Sequence, residues 1–224
     1  STAELQLPWM WGGRYMQQLS VGIDHNQSVS ENNNYYKMTH LFRIGERFLY
    51  SISAEKAFDN QATYYVRQSD QKISWIDQMN VYLPGWGTNH VVHLDAIYGK
   101  TYTGFYSIGG FMNALAVRGY AYDDIKQGPV VGRLGIEYLF PMAVIDDMTW
   151  FFGLYGYQTY GTLFAEVADA SAETTFAQAP YYSYGYLWRM KSMAANMYPL
   201  ELGLGLAHTS KAGLSMIFTL GLGI

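Results

Sequence analysis

The chain has 224 residues, with 14 Lys and Arg against 18 Asp and Glu, a formal net charge of −4 and no cysteine. That balance offers no positive field for nucleic acid, and it excludes a disulfide framework, a thiolate metal site and a cysteine nucleophile. Half of the residues are hydrophobic and 17% aromatic, yet only 14% are charged and 23 are glycine, which excludes a disordered chain and a coiled coil.

No stretch reaches the roughly 18 consecutive apolar residues of a membrane helix. Ser1 is followed by neither the basic start nor the apolar core of a signal peptide. What recurs instead, in chain order, is alternation at period 2, the pattern of a strand with two unlike faces. Tyr15, Leu19, Val21 and Ile23 alternate with Gln18, Ser20 and Asp24, and a strand is expected near 35–43. Phe48, Tyr50 and Ile52 alternate with Ser51, Ser53 and Glu55. Ile73, Trp75, Met79 and Val81 alternate with Ser74, Gln78 and Asn80, although Asp77 falls on the apolar side. Val92, Leu94, Ala96 and Tyr98 alternate with His93 and Asp95; Leu134, Ile136, Tyr138 and Phe140 alternate with Arg133, Gly135 and Glu137. Further strands are expected near 161–169 and 184–195.

The C-terminus is the clearest. Leu200, Leu202, Leu204 and Leu206 alternate with Glu201, Gly203, Gly205 and Ala207; Leu214, Met216, Phe218, Leu220, Leu222 and Ile224 alternate with Ser215, Ile217, Thr219, Gly221 and Gly223. A helix would scatter these leucines around its axis and be weakened by the glycines. Two adjacent strands joined through His208–Gly213 are expected. The count is about ten strands, each near the 9–11 residues of a tilted spanning strand.

The connections alternate in kind. Short ones with turn chemistry are expected at Ile44-Gly45-Glu46, Pro84-Gly85-Trp86-Gly87 and Asn196-Met197-Tyr198-Pro199, and long polar ones at 27–34, 59–71, 101–128 and 171–180. Trp9, Trp11, Trp86 and Tyr198 stand where strand ends would place an aromatic girdle. A soluble sandwich also alternates, with its apolar face inward, but it carries more surface charge than this chain. The pattern favours a membrane β-barrel, apolar outside and polar inside.

The stretch 101–128 contains Gly109-Gly110-Phe111 and then Val117-Arg118-Gly119-Tyr120, followed by Gly128-Pro129 and a strand through Ile136-Glu137-Tyr138-Leu139-Phe140-Pro141. Downstream lies Leu163-Phe164-Ala165-Glu166-Val167-Ala168-Asp169. In order and spacing these blocks resemble the BamA/Omp85 superfamily of outer-membrane barrels. That family carries a V-R-G-[FY] motif in its sixth extracellular loop, a strand ending L-E-Y-R-F-P and another reading F-x-D-x-G. Leu139 stands in place of the family's Arg, Glu166 in place of Asp, Ala168 in place of Gly, and Ile224 in place of the usual terminal Phe. The resemblance covers about 109–224, and 152–164 is similar to barrels fused to propeller-type or patatin-type domains.

The resemblance implies an all-β fold over 1–224: a transmembrane, antiparallel, up-and-down barrel, with loop six at about 101–128. The strands would be the C-terminal portion of a barrel of roughly 16 strands, or a reduced barrel closing on itself. It implies that Arg118 folds back into the lumen and pairs with an acid on the inner wall, for which Glu166 is the aligned residue. Gly119 would supply a tight turn or a close approach. Other inward charges, Asp95, Arg133, Glu137, Arg189, Lys191 and Glu201, suggest a salt-bridge network of mixed sign rather than an ion-selective ring. The implied partner is the lipid bilayer of a Gram-negative-type outer membrane, with unfolded outer-membrane or secreted proteins and assembly subunits as further partners.

Catalytic signals are absent from the pattern: there is no Gly-x-Ser-x-Gly elbow and no Gly-rich phosphate loop. His90 and His93 face opposite sides of a strand, so a metal site is not expected. Asp123-Asp124 and Asp146-Asp147 read as solvated loop acids, and His208 with Ser210 has no third partner. No enzyme activity, cofactor or nucleic-acid partner is expected. Protein insertion, translocation, or the anchoring and export of an attached domain stands against a passive porin-like channel or structural anchor, and against a soluble aromatic-rich carbohydrate binder.

Overall fold

The computed structural model describes residues 2–11, 15–27, 32–46, 53, 55–101, 106–108, 117–120, 126–144, 149–150, 154–172, 180–194 and 198–222. Its strands, in chain order, are β1 (Thr2–Trp11), β2 (Tyr15–Gln27), β3 (Asn32–Glu46), β4 (Lys56–Arg67), β5 (Ile73–Pro84), β6 (Val91–Lys100), β7 (Tyr106–Ile108), β8 (Lys126–Gly128), β9 (Val130–Val144), β10 (Thr149–Trp150), β11 (Leu154–Ser171), β12 (Tyr181–Ala194), β13 (Tyr198–Thr209) and β14 (Gly213–Leu222). Eleven of them form one antiparallel sheet in the order β1-β2-β3-β4-β5-β6-β9-β11-β12-β13-β14, with β10 paired to β11 and β7 to β8. Among the described residues no pairing joins β1 to β14. Because every neighbour is antiparallel, these two outermost strands of an eleven-strand path run in the same direction.

The strand count differs from the expected ten for local reasons. β1 has no counterpart among the expected strands; Pro8 within it lies opposite Gln18 on a strand at the edge of the path, where a missing N–H is tolerated. The polar run Asp59-Asn60-Gln61 reads as loop, yet it is the middle of β4, hydrogen-bonded to β3 and β5 on both sides. The expected loop 59–71 therefore shrinks to a turn after Arg67, where the Gln71 N–H donates to the Arg67 carbonyl at 2.9 Å and Gln71 has a φ of 56°. The expected turn at Ile44-Gly45-Glu46 is also strand: Gly45 opposes Ala57 so closely that a β-carbon on it would lie 2.4 Å from that of Ala57. The alternation at Phe48, Tyr50 and Ile52 lies outside the described residues, as do Gly109–Phe111, Asn196–Met197 and both loop acid pairs.

The two faces of the sheet are as unlike as the sequence pattern. On one face Leu5, Leu7, Val21, Met38, Tyr64, Met79, Leu134, Leu163, Leu204, Leu206, Leu214 and Phe218 are exposed, Met216 by as much as 79%. On the other, Ser20, Thr63, Ser74, Asp95, Glu166, Ser183 and Thr209 are buried. A sheet that buries its polar face and exposes its leucines is inverted relative to a soluble sandwich. Among the described residues no helix is long and apolar enough to cross a membrane, which says nothing of crossing by strands.

Aromatic side chains gather on the apolar face at one end. Trp86, in the β5–β6 turn, is 5.2 Å from Tyr138 between ring centroids, and Tyr138 lies 6.1 Å from Phe140. Phe140 covers Gly161, where a β-carbon would collide with its ring, an aromatic filling the gap left by a strand glycine. Pro141 lies beside a break in the β9–β11 register, past the last residue of β9 that β6 pairs with.

Candidate functional site

The polar face is organised by β9. Its alternation puts Arg133, Gly135, Glu137 and Leu139 on one side, and the register places Gly135 between Asp95 on β6 and Glu166 on β11. A β-carbon on Gly135 would lie 2.1 Å from Asp95 Oδ1, so the missing side chain is what lets the Asp95 carboxylate reach across the row. Arg133 then bridges the two acids, Nη1 donating to Asp95 Oδ2 at 2.5 Å and Nη2 to Glu166 Oε2 at 2.7 Å.

The connection between β6 and β9 supplies a second guanidinium. The Arg118 backbone N–H donates to Glu166 Oε1 at 2.7 Å, its Nε to the same oxygen at 3.0 Å, and its Nη2 to Oε2 at 3.4 Å. Its Nη1 lies 2.6 Å from Glu137 Oε1, and the guanidinium stacks over the Phe164 ring with Cζ 4.0 Å from the centroid. Glu137 also lies 3.7 Å from Arg189, which lies 3.3 Å from Glu201. The result is a continuous row of alternating sign: Asp95, Arg133, Glu166, Arg118, Glu137, Arg189, Glu201. His93 joins it through Nδ1, 3.4 Å from Glu137 Oε2, while its Nε2 is 3.1 Å from Asn80 Oδ1.

Such an arrangement is costly to assemble and more costly to break. The Glu166 side chain is fully buried, and a carboxylate taken out of water requires close, hydrogen-bonded cations. Two planar guanidinium forks meet that need in a way that ammonium groups would not.

Each residue of the tetrapeptide 117–120 has its own seat. Val117 is buried with Ile97, Val131, Ala168, Ala170 and Tyr181. Gly119 has a φ of +84°, and a β-carbon there would meet Ala207 Cβ at 2.8 Å and Thr209 Cγ2 at 2.9 Å, so both the backbone conformation and the approach to β13 require glycine. Tyr120 stacks on Tyr181 with centroids 4.6 Å apart and planes 6° from parallel. Its hydroxyl donates to the Tyr182 carbonyl at 3.0 Å and accepts from the Ser210 N–H at 3.2 Å. The segment thus touches β6, β9, β11, β12, β13 and the β13–β14 turn. Lys126, at the start of β8, pairs with Asp169.

The residues singled out in the sequence divide between the two faces. Val117, Arg118, Gly119, Tyr120, Glu137, Phe164 and Glu166 come together on the polar face. Tyr138, Phe140 and Pro141 do not join them: Tyr138 accompanies His90, whose Nδ1 is 2.6 Å from its hydroxyl, in the aromatic cluster opposite. The sequence reading did not foresee that Arg118 has two carboxylate partners, nor that Phe164 lies beneath it. The alternation of β9 places Arg133 and Glu137 on one face, but the register that brings them to Arg118 and Glu166 is set by pairing with β11. His208 is on the apolar face against Tyr184, and Ser210 serves Tyr120.

No family model matches the chain, and no curated protein matches it. Among the described residues no group of three or more His, Asp or Glu could hold a metal ion. Chemically, mutually neutralised charges hold a segment in place: the geometry is that of a lock between the 117–120 segment and the strands beneath it.

Proposed function

We propose that the chain is the membrane-spanning β-barrel part of an outer-membrane protein of the BamA/Omp85 type, one that inserts or translocates proteins or anchors and exports an attached domain. The observation that carries this reading is Arg118. It belongs to a V-R-G-Y segment, and it is bound by backbone and side chain to the strand acid that the resemblance nominates, Glu166. The inverted burial of the sheet supports the membrane part of the reading, since exposed leucines over many neighbouring strands suit lipid. The surrounding polar face argues against a wide passive pore, because its charges are paired and the Val117–Tyr120 segment lies over them.

The test is reconstitution. Protein folded into liposomes is expected to speed the insertion of an unfolded outer-membrane barrel compared with empty liposomes, and Arg118→Ala is expected to lower that acceleration. Ion conductance with no effect on client insertion would overturn the assembly reading in favour of a passive channel.

A further inference from the structure

The terminal hairpin is held in the sheet from one side. Among the described residues β14 pairs with β13 alone. Its Leu214, Met216, Phe218 and Leu220 lie on the apolar face and are 59–79% exposed. On the polar face the two strands carry mostly small side chains, Gly203, Gly205 and Ala207 on β13 and Ser215, Thr219 and Gly221 on β14. Ile217 is the one buried side chain of β14 among the described residues, in a cluster with Phe164, Leu187 and Ala207. A strand with one paired edge and one buried side chain has little local stability of its own.

Three consecutive residues of the 117–120 segment reach this hairpin by different routes. The Arg118 guanidinium stacks on Phe164, with Cζ 4.0 Å from the ring centroid, and Phe164 shares its buried cluster with Ile217. Gly119 lies so close that a β-carbon on it would be 2.8 Å from Ala207 Cβ, 2.9 Å from Thr209 Cγ2 and 3.7 Å from Ser215 Cβ. The Tyr120 hydroxyl accepts from the Ser210 N–H at 3.2 Å and donates to the Tyr182 carbonyl at 3.0 Å, which ties the β13–β14 turn to the start of β12. Lys211 of the same turn has its Nζ 4.9 Å from the centroid of Tyr181, the ring on which Tyr120 stacks. We propose that docking of 117–120 is the latch of the terminal hairpin: the Arg118–Glu166 lock fixes the segment, and the segment fixes β13 and β14. All of these contacts are on the polar face, so the latch does not depend on what the opposite face meets. Because the supports lie on one short run of chain, undocking withdraws them together. Such a coupling is reciprocal, so whatever draws β14 out of the sheet loosens 117–120 by the same factor.

Both directions can be measured on the full chain folded in detergent micelles. Arg118→Ala is expected to quicken amide hydrogen exchange across 213–222 by about five-fold or more, the lower end of a typical coupling, and to leave exchange across 56–67 in β4 unchanged. Tyr120→Phe keeps the stacking and the ion lock and removes only the hydroxyl tie to Ser210 and Tyr182, so it is expected to quicken exchange across 213–222 by a smaller factor. In the reverse direction, Ile217→Ala alters neither the segment nor the row of charges. It is nevertheless expected to accelerate chymotrypsin cleavage within 101–128 by about five-fold or more. Met216→Ala, its neighbour on the exposed face, is expected to leave that cleavage unchanged. Unchanged exchange across 213–222 in Arg118→Ala or Tyr120→Phe, equal quickening across 56–67, or cleavage no faster in Ile217→Ala than in Met216→Ala would each overturn the latch. If Arg118→Ala fails to fold, the Tyr120→Phe and Ile217→Ala results decide it. None of these outcomes bears on client insertion, so the latch and the proposed function fail separately.

Discussion

Replacing Arg118 by alanine isolates the lock. The change removes two side-chain hydrogen bonds to the fully buried Glu166, the 2.6 Å pair with Glu137 and the stacking on Phe164. Breaking a buried ion pair costs about 3–5 kcal/mol. Here the lower end applies, since Arg133 and the backbone N–H of residue 118 still serve Glu166. Val117 and Tyr120 keep their own seats, so the strands stay formed and the cost falls on docking of the segment. About 3 kcal/mol changes the ratio of docked to undocked segment by roughly 100-fold. Limited chymotrypsin digestion of the folded protein reads this population when opening equilibrates faster than cleavage. Cleavage within 101–128 should accelerate by about that factor. Arg118→Lys, which keeps the charge but loses the planar fork, should fall between wild type and alanine. Equal cleavage rates for wild type and Arg118→Ala, with equal strand content by circular dichroism, would refute the reasoning.

Four further outcomes follow from the structure. Gly119→Ala should undock the same segment at a cost of about 1–3 kcal/mol, since it combines a positive φ with contacts below 3 Å to Ala207 and Thr209. Gly213→Ala shares the positive φ but has no atom within 4 Å, so it should lower thermal stability by only about 1 kcal/mol and leave loop cleavage unchanged. Gly135→Ala should displace the Asp95 carboxylate from Arg133 and lower the melting temperature, by an amount corresponding to about 1–3 kcal/mol in thermal denaturation. In the exposed β4–β5 turn, the hydrogen bond from Arg67 holds the Asp70 carboxyl well below its ordinary range. A depressed folded-state value means that its contribution is intact above the ordinary carboxylate range near ~4 and is lost as the pH falls from there. Amide exchange at Gln71 and Lys72 should therefore quicken on acidification relative to the wild-type intrinsic trend, and Asp70→Asn should abolish that acid dependence.

How legible the fold is depends on which face of each strand carries information. In β13 and β14 large apolar residues alternate with mostly small or polar ones, broken only by Ile217 on the small-residue side and His208 on the leucine side, and the hairpin from Thr209 to Gly213 is readable residue by residue. β4 is opaque because its outward positions include Asn60 and Ala62, so neither polarity nor size alternates; its strand state comes from two neighbours, not from itself. β1 is hidden by Pro8 for a reason that only its place at the edge explains. Gly45 looks like a turn but is a site of close strand approach. The pairing of Arg118 with Glu166 was accessible through motif resemblance alone, since 48 residues separate them. Its extension to Glu137, Arg133 and Phe164 depends on the register of β9 against β11, which no local pattern encodes. Asp77, out of phase in its strand, is the reverse case: the sequence marked it as anomalous, and the sheet places Ala62 opposite it and His40 two strands away in the same row.

The claim on which the account depends is that the leucine-bearing face is solvated by lipid, and spin labels on single cysteines in β13 and β14 test it most directly. In liposomes, labels at Leu204, Leu206, Leu214, Met216 and Phe218 are expected to collide readily with oxygen dissolved in the bilayer. Labels at Ala207, Ser215 and Ile217 are expected to be shielded from it, giving a period of 2 along each strand. Labels at the leucine positions that report water, or a dry protein interior indifferent to the bilayer, would contradict the account.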